Sequence, residues 1–235
     1  MLSLNDYVVC KNNQEAFDLV ENITDENDEQ IQVIITGPKG SGKTSLLQHR
    51  KADLNLLSPK KILVRSADEL ATSIRLNAPD SFFEALGTAD VLFIDNFQAF
   101  LDEGEIGEMF PGLLLKERKK QGLDTILVVE EDKLSTVLNN YEDELEGFST
   151  IKIGKLDKEA RKQLISKELE KIFKDDDFEN MPNLTTETLD ALSNEEELNV
   201  RPMLQIAEFL ARNNDEFTPE EELTEVQKLI MTELN

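Results

Sequence analysis

The octapeptide "GPKGSGKT", residues 37–44, constrains this chain more than any other feature. It satisfies G-x-x-x-x-G-K-[ST] and lies between an apolar, β-branched run, "IQVIIT", and the helical spacing of "KTSLLQHRKADL". A strand that turns through glycines into a helix aims successive backbone N–H groups and the helix N-terminus at one point, which suits a phosphate. Gly37, Gly40 and Gly42 let the backbone curl, and Pro38, Lys39, Ser41 and Ser45 complete the phosphate-binding set. Lys43 supplies a point charge for β- and γ-phosphates, and the Thr44 hydroxyl is a ligand for Mg2+. A nucleotide site is therefore expected.

"VLFID", residues 91–95, is a buried strand that ends in an acid. Paired with the loop it reads as the Walker B strand, with Asp95 holding the Mg2+ shell. Hydrolysis commonly uses a carboxylate beside that Asp to polarise the attacking water, and the residue there is Asn96. An amide can hold a water but cannot accept its proton, so tight nucleotide binding with slow hydrolysis is expected.

The remaining pattern alternates. "KILVRS" predicts a second strand, and the capping box Ser66-x-x-Glu69 opens a helix. "SFFEAL" predicts a short helix, and "GEIGEMFPGLLLKERKKQG" a longer one closed by Gly122. "DTILVVE" and "STIKIG" predict a fourth and a fifth strand. From Asp157 onward only helices are expected, over 157–173, 185–192, 199–212 and 219–233, with "KDDDFENMPN" as a loop among them. This is an α/β P-loop fold, a parallel five-stranded sheet flanked by helices, followed by a small all-α lid. The expected boundaries are 1–155 and 156–235.

Charge narrows the partners. The chain has 25 Lys+Arg against 49 Asp+Glu, a formal net charge of −24, and such a surface repels a phosphate backbone. Residues 174–235 hold 17 acids against Lys174, Arg201, Arg212 and Lys228, which reads as a solvated helical surface, with a face for a basic partner as the alternative. The single Cys10 forms no internal disulfide, and no His/Cys cluster suggests zinc. The start "MLSLNDYVVC" lacks the features of a signal peptide, and no apolar run is long enough to span a membrane, so a cytoplasmic protein is expected.

Taken together, the loop, "DVLFIDNFQAFL", the strand ending "VVEED" and "NVRPMLQIAEFL" resemble the AAA+ module of the bacterial replication initiator DnaA, closest to the shortened Hda-type regulators. The resemblance covers nearly the whole chain and implies ATP or ADP as ligand. It places Val8, Val9 and Asn13 near the adenine, with Cys10 where the family has glycine. Asp132 falls at the sensor-1 acid, beside Asp95 and Asn96 as residues at the reacting phosphate, and Arg201 matches the sensor-2 arginine that reaches the phosphates from the lid. The helices between the two Walker motifs, which in the initiator grip single-stranded DNA, keep only Arg75.

Three departures qualify the resemblance. The segment that carries the family's arginine finger is "DELEGF" here, residues 143–148, with Glu144 in place of the first arginine and Gly147 or its neighbour in place of the finger. The chain stops after the lid, so the helix-turn-helix domain that reads duplex DNA is not expected. "MLSL" keeps only part of the peptide by which Hda docks on the sliding clamp. A regulatory protein that recognises DnaA or another AAA+ protein, or forms a homo-oligomer, is the expectation. An active ATPase of the helicase-loader class is the alternative, and a small-molecule kinase a third possibility that lacks the arginines it would need.

Overall fold

The computed structural model describes residues 7–23, 30–57, 60–175, 184–195, 197–213 and 217–234. They form two compact units, one of Tyr7 with residues 13–154, the other of residues 8–12 with 155 onward. The "LSL" segment at 2–4 and residues 176–183 of the predicted loop lie outside the described residues.

In the first unit, β1 (Gln32–Gly37), β2 (Ile62–Ser66), β3 (Val91–Asp95), β4 (Asp124–Glu130) and β5 (Ser149–Lys152) form one parallel sheet in the order β2-β3-β4-β1-β5. The helices are α1 (Gln14–Asn22), α2 (Lys43–Leu57), α3 (Ala67–Arg75), α4 (Asp80–Thr88), α5 (Glu105–Gln121), α6 (Leu134–Asn140) and α7 (Glu142–Leu145). The expected α/β architecture is present. The central strands are apolar on both faces because helices cover both. Ile34, Leu92, Ile94, Leu127 and Val129 join one core with Leu70, Leu86, Phe97, Phe100 and Leu115. The intervening Val33, Ile35, Phe93, Ile126 and Val128 are buried too, and the pleat sends them to the opposite face.

Local signals fix several ends. The Ser66 hydroxyl accepts from Glu69 N at 3.1 Å, and the Glu69 carboxylate accepts from Ser66 N at 3.2 Å. Gly122 closes α5 at φ 71°. Inside α5, Pro111 has no N–H to offer the carbonyl of Gly107 one turn earlier. That carbonyl instead accepts from the buried Tyr141 hydroxyl at 2.7 Å. The helix keeps its proline because another element supplies the missing donor.

Arg118, fully buried, pins the lower edge of the same unit. Its guanidinium donates to Leu86 O and Ala89 O at the end of α4, to Thr125 Oγ1 and to Asp124 O. Burial pushes this guanidinium down to about 10, against the opposing carboxylates of Asp124 and Asp90.

The second unit is helical: α8 (Lys158–Asp175), α9 (Thr186–Asn194), α10 (Val200–Arg212) and α11 (Pro219–Leu234). Ile165, Leu169, Leu192, Met203, Ala207, Leu210 and Val226 form its core. Arg161, 2% exposed, donates to Leu198 O, Leu192 O and Glu195 O, so one buried cation holds the turn that leads into α10. No described helix is long and apolar enough to cross a membrane.

Candidate functional site

The loop after β1 is built by close approach and by left-handed backbone. A Cβ on Gly37 would come within 2.1 Å of Ile153 O, so only glycine lets β1 lie this near the segment after β5. Gly40 and Gly42 adopt φ 79° and 91°, and the two left-handed residues bracket Ser41 to fold the backbone amides into an anion-binding concavity. The Ser41 hydroxyl is buried without a hydrogen-bond partner, and the N-terminus of α2 follows at Lys43. A concave row of amides, an orphaned hydroxyl and a helix N-terminus fit a phosphate group.

Lys43 is buried, and its ammonium donates to Gly37 O at 2.7 Å and Pro38 O at 2.9 Å, bracing the loop from within. Burial lowers its pKa, while the carboxylates of Glu130, Asp95, Glu131 and Asp132, in decreasing order, raise it. The expected acids Asp95 and Asp132 therefore stand around the loop's lysine together with two that the motif analysis passed over. Of the remaining loop residues, Lys39 and Thr44 are exposed and Pro38 and Ser45 half-buried. Among the described residues no group of three or more His, Cys, Asp or Glu is set to hold a metal. A Mg2+ here would be held through the Thr44 hydroxyl and Asp95 with phosphate oxygens and water, the sparse protein ligation this ion accepts.

Asn96 is not a passive replacement. It lies in the left-handed region at φ 55°, ψ 40°, which Asn tolerates better than most side chains. Its Nδ2 donates to Asp68 Oδ2 at 2.8 Å, and its Oδ1 accepts from Gln98 Nε2 at 2.6 Å. Gln98 Oε1 in turn accepts from the backbone N of Glu130 at 3.3 Å. A polar chain thus runs from α3 through the end of β3 to the end of β4. Only the pattern of polar residues at 96 and 98 after an apolar strand hinted at it.

Asn13 donates to the Tyr7 hydroxyl at 3.4 Å, and that hydroxyl would lie 3.1 Å from a Cβ on Gly42. Tyr7, which sequence analysis did not single out, thereby covers the loop and stacks on Phe17 at 6.0 Å. Val8, buried, and Val9, half-buried, belong to the second unit, as does Arg201, exposed in the first turn of α10. A cation at the positive end of a helix dipole gains nothing from that helix.

At 143–148, Glu144 makes an ion pair with Lys116 at 2.8 Å, and that hydrogen bond holds its carboxyl below the usual range. The Glu144 carboxylate packs close to Gly112, where an added Cβ would meet Oε1 at 3.2 Å. Arg75 is engaged as well, in an ion pair with Glu103.

Comparison with known proteins agrees with this geometry. Residues 2–154 match the bacterial DnaA ATPase domain family. Domain III of the Thermotoga maritima replication initiation protein DnaA superposes with a TM-score of 0.76 at 18% identity, covering 100% of this chain and 97% of that one. AMPPCP-bound DnaA from Aquifex aeolicus gives 0.74 at 22% identity, over 97% of this chain and 71% of that one. The DnaC helicase loader gives 0.51 at 15% identity, over 65% and 96%. Among curated proteins, none matches by sequence.

Proposed function

The chain belongs to the bacterial DnaA ATPase domain family, and we propose that it is an Hda-like AAA+ regulator of replication initiation that binds ATP or ADP with Mg2+. It acts by nucleotide-dependent contact with DnaA or another AAA+ protein, turns nucleotide over slowly, and does not bind DNA site-specifically. The observation that carries nucleotide binding is the loop at 37–44, where two left-handed glycines, the orphaned Ser41 hydroxyl and Lys43 converge.

Gly37 to Ser45 hold the phosphates, Val8 and Val9 the base, Thr44 and Asp95 the Mg2+, and Asp132 and Arg201 report the state of the γ-phosphate. Two features support a regulator over an active ATPase. Asn96, bonded at both ends of its amide, is not free to act as a base. Glu144, paired to Lys116, stands in place of the segment's first arginine and Gly147 or its neighbour in place of the finger, so the segment offers a neighbouring subunit no positive charge. Residues 1–155 form the nucleotide-binding domain and 156–235 the lid, and the sliding clamp is a weaker candidate partner.

The test is nucleotide analysis of the purified protein together with a binding assay against DnaA from the same cell. Retained ATP or ADP, slow turnover and nucleotide-dependent binding to DnaA are expected. Loss of all nucleotide on purification with no measurable affinity overturns the proposal, and fast turnover without any partner favours a loader-like ATPase.

A further inference from the structure

With the amide of Asn96 engaged, the residue after the Walker B acid offers no base, yet the neighbouring strand β4 ends in a carboxylate beside the phosphate loop. Glu130 is the last residue of β4, and the parallel register sets it directly opposite Gly37, the first residue of the phosphate loop. Lys43, whose ammonium donates to Gly37 O, is influenced by Glu130 more than by any other carboxylate. Glu130 is half-buried, and its backbone N–H donates to Gln98 Oε1. Gln98 also donates to Asn96 Oδ1. The side chains that occupy the usual base position therefore serve to anchor the end of β4.

Resting on the reading that this loop binds ATP, we infer that Glu130 is the general base for the chain's slow hydrolysis. A water loses its proton to the Glu130 carboxylate as its oxygen bonds to the γ-phosphorus. The bond from that phosphorus to the β,γ-bridging oxygen breaks, its electron pair leaves with ADP, and Glu130 releases the proton to phosphate or solvent. Moving the base from β3 to β4 changes the direction from which water is polarised.

The experiment measures single-turnover hydrolysis of labelled ATP with Mg2+, ATP affinity by equilibrium binding, and the nucleotide that co-purifies, for wild type, Glu130→Gln and Glu142→Gln. Glu130→Gln is expected to slow hydrolysis about 10²-fold, the usual range for a lost general base. It should change ATP affinity less than about threefold and shift the co-purified nucleotide from ADP toward ATP, which a loss of structure alone would not do. Glu142→Gln removes an exposed acid on α7, keeps the base and should leave the rate at the wild-type value. Glu130→Gln turning over at the wild-type rate overturns the inference, as does wild-type protein that binds ATP but never cleaves it, or Glu142→Gln slowing hydrolysis as much as Glu130→Gln. In those three cases nucleotide binding stands; wild-type protein with no affinity for ATP removes both conclusions.

Discussion

Substituting Asn96→Asp looks like the simplest repair of a hydrolytic site, and the structure predicts that it destabilises the protein first. The amide Nδ2 lies 2.8 Å from Asp68 Oδ2. The substitution deletes that donor and faces one carboxylate with another. A hydrogen bond to a charged acceptor contributes roughly 1.5–3 kcal/mol, and solvent at this exposed position lowers the figure, so a loss of about 1–2 kcal/mol is expected. Aspartate tolerates left-handed backbone nearly as well as asparagine, so φ 55° adds little. The bond from Gln98 survives, since an oxygen remains to accept it. For a chain of this length about 1–2 kcal/mol lowers Tm by roughly 2–8 °C.

The assay is a double-mutant cycle of thermal and urea unfolding with Asn96→Asp, Asp68→Asn and both together. The double variant returns a donor to the pair with its polarity reversed, and the coupling should recover most of the loss. Acidification toward about pH 4 should narrow the deficit of the single variant, because two facing carboxylates come to share a proton. An Asn96→Asp protein as stable as wild type, or a double variant no better than the sum of the singles, refutes the reasoning. Any gain of ATPase activity at position 96 is best sought in the Asp68→Asn background.

Other outcomes follow from the same geometry. Gly37→Ala, with its Cβ 2.1 Å from Ile153 O, should cost about 1–3 kcal/mol and abolish nucleotide affinity, checked by urea unfolding and equilibrium binding. Lys43→Met should also abolish binding, checked by the same equilibrium measurement, and it removes the two bonds that brace the loop. Burial lowers the lysine's pKa, so in wild type the buried charge destabilises the fold below the folded value, and that penalty fades as pH rises toward the unfolded value. Tyr141→Phe, which orphans the Gly107 carbonyl, should cost about 1–3 kcal/mol in urea unfolding. The phenol is pushed up to about 12, mainly by burial, so the unfolded chain ionises first and wild-type stability falls between about pH 10 and 12. That alkaline fall should be shallower in Tyr141→Phe.

Features carried by short stretches of chain were legible in the sequence. The phosphate loop, the strand ending at Asp95, the capping box at Ser66 and Glu69 and the stop at Gly122 each need only a few neighbouring residues to declare themselves. Helices α6 and α7 were not expected because they span only seven and four residues, whereas Ala16, Phe17, Val20 and Ile23 do recur at helical spacing through α1, a signal that sequence reasoning left unused. What lay furthest from view depends on which strands become neighbours. Nothing local in "DTILVVE" says that Glu130 will face Gly37, a pairing set by β4 inserting between β3 and β1. The left-handed backbone of Asn96 was hidden likewise, since Asn is common in ordinary turns and only its partners Asp68 and Gln98 show why an amide is suited to the place.

The hydroxyl of Tyr141 standing in for the amide hydrogen that Pro111 lacks makes two distant positions a single heritable choice. With Pro111→Ala the helix regains its own donor and the tyrosine becomes dispensable; with Tyr141→Phe alone, a carbonyl inside the fold is stranded. Drift through this region has a preferred order, proline relinquished before tyrosine. Descendants that keep the proline should keep a donor at position 141, holding α5 to the turn that precedes α7.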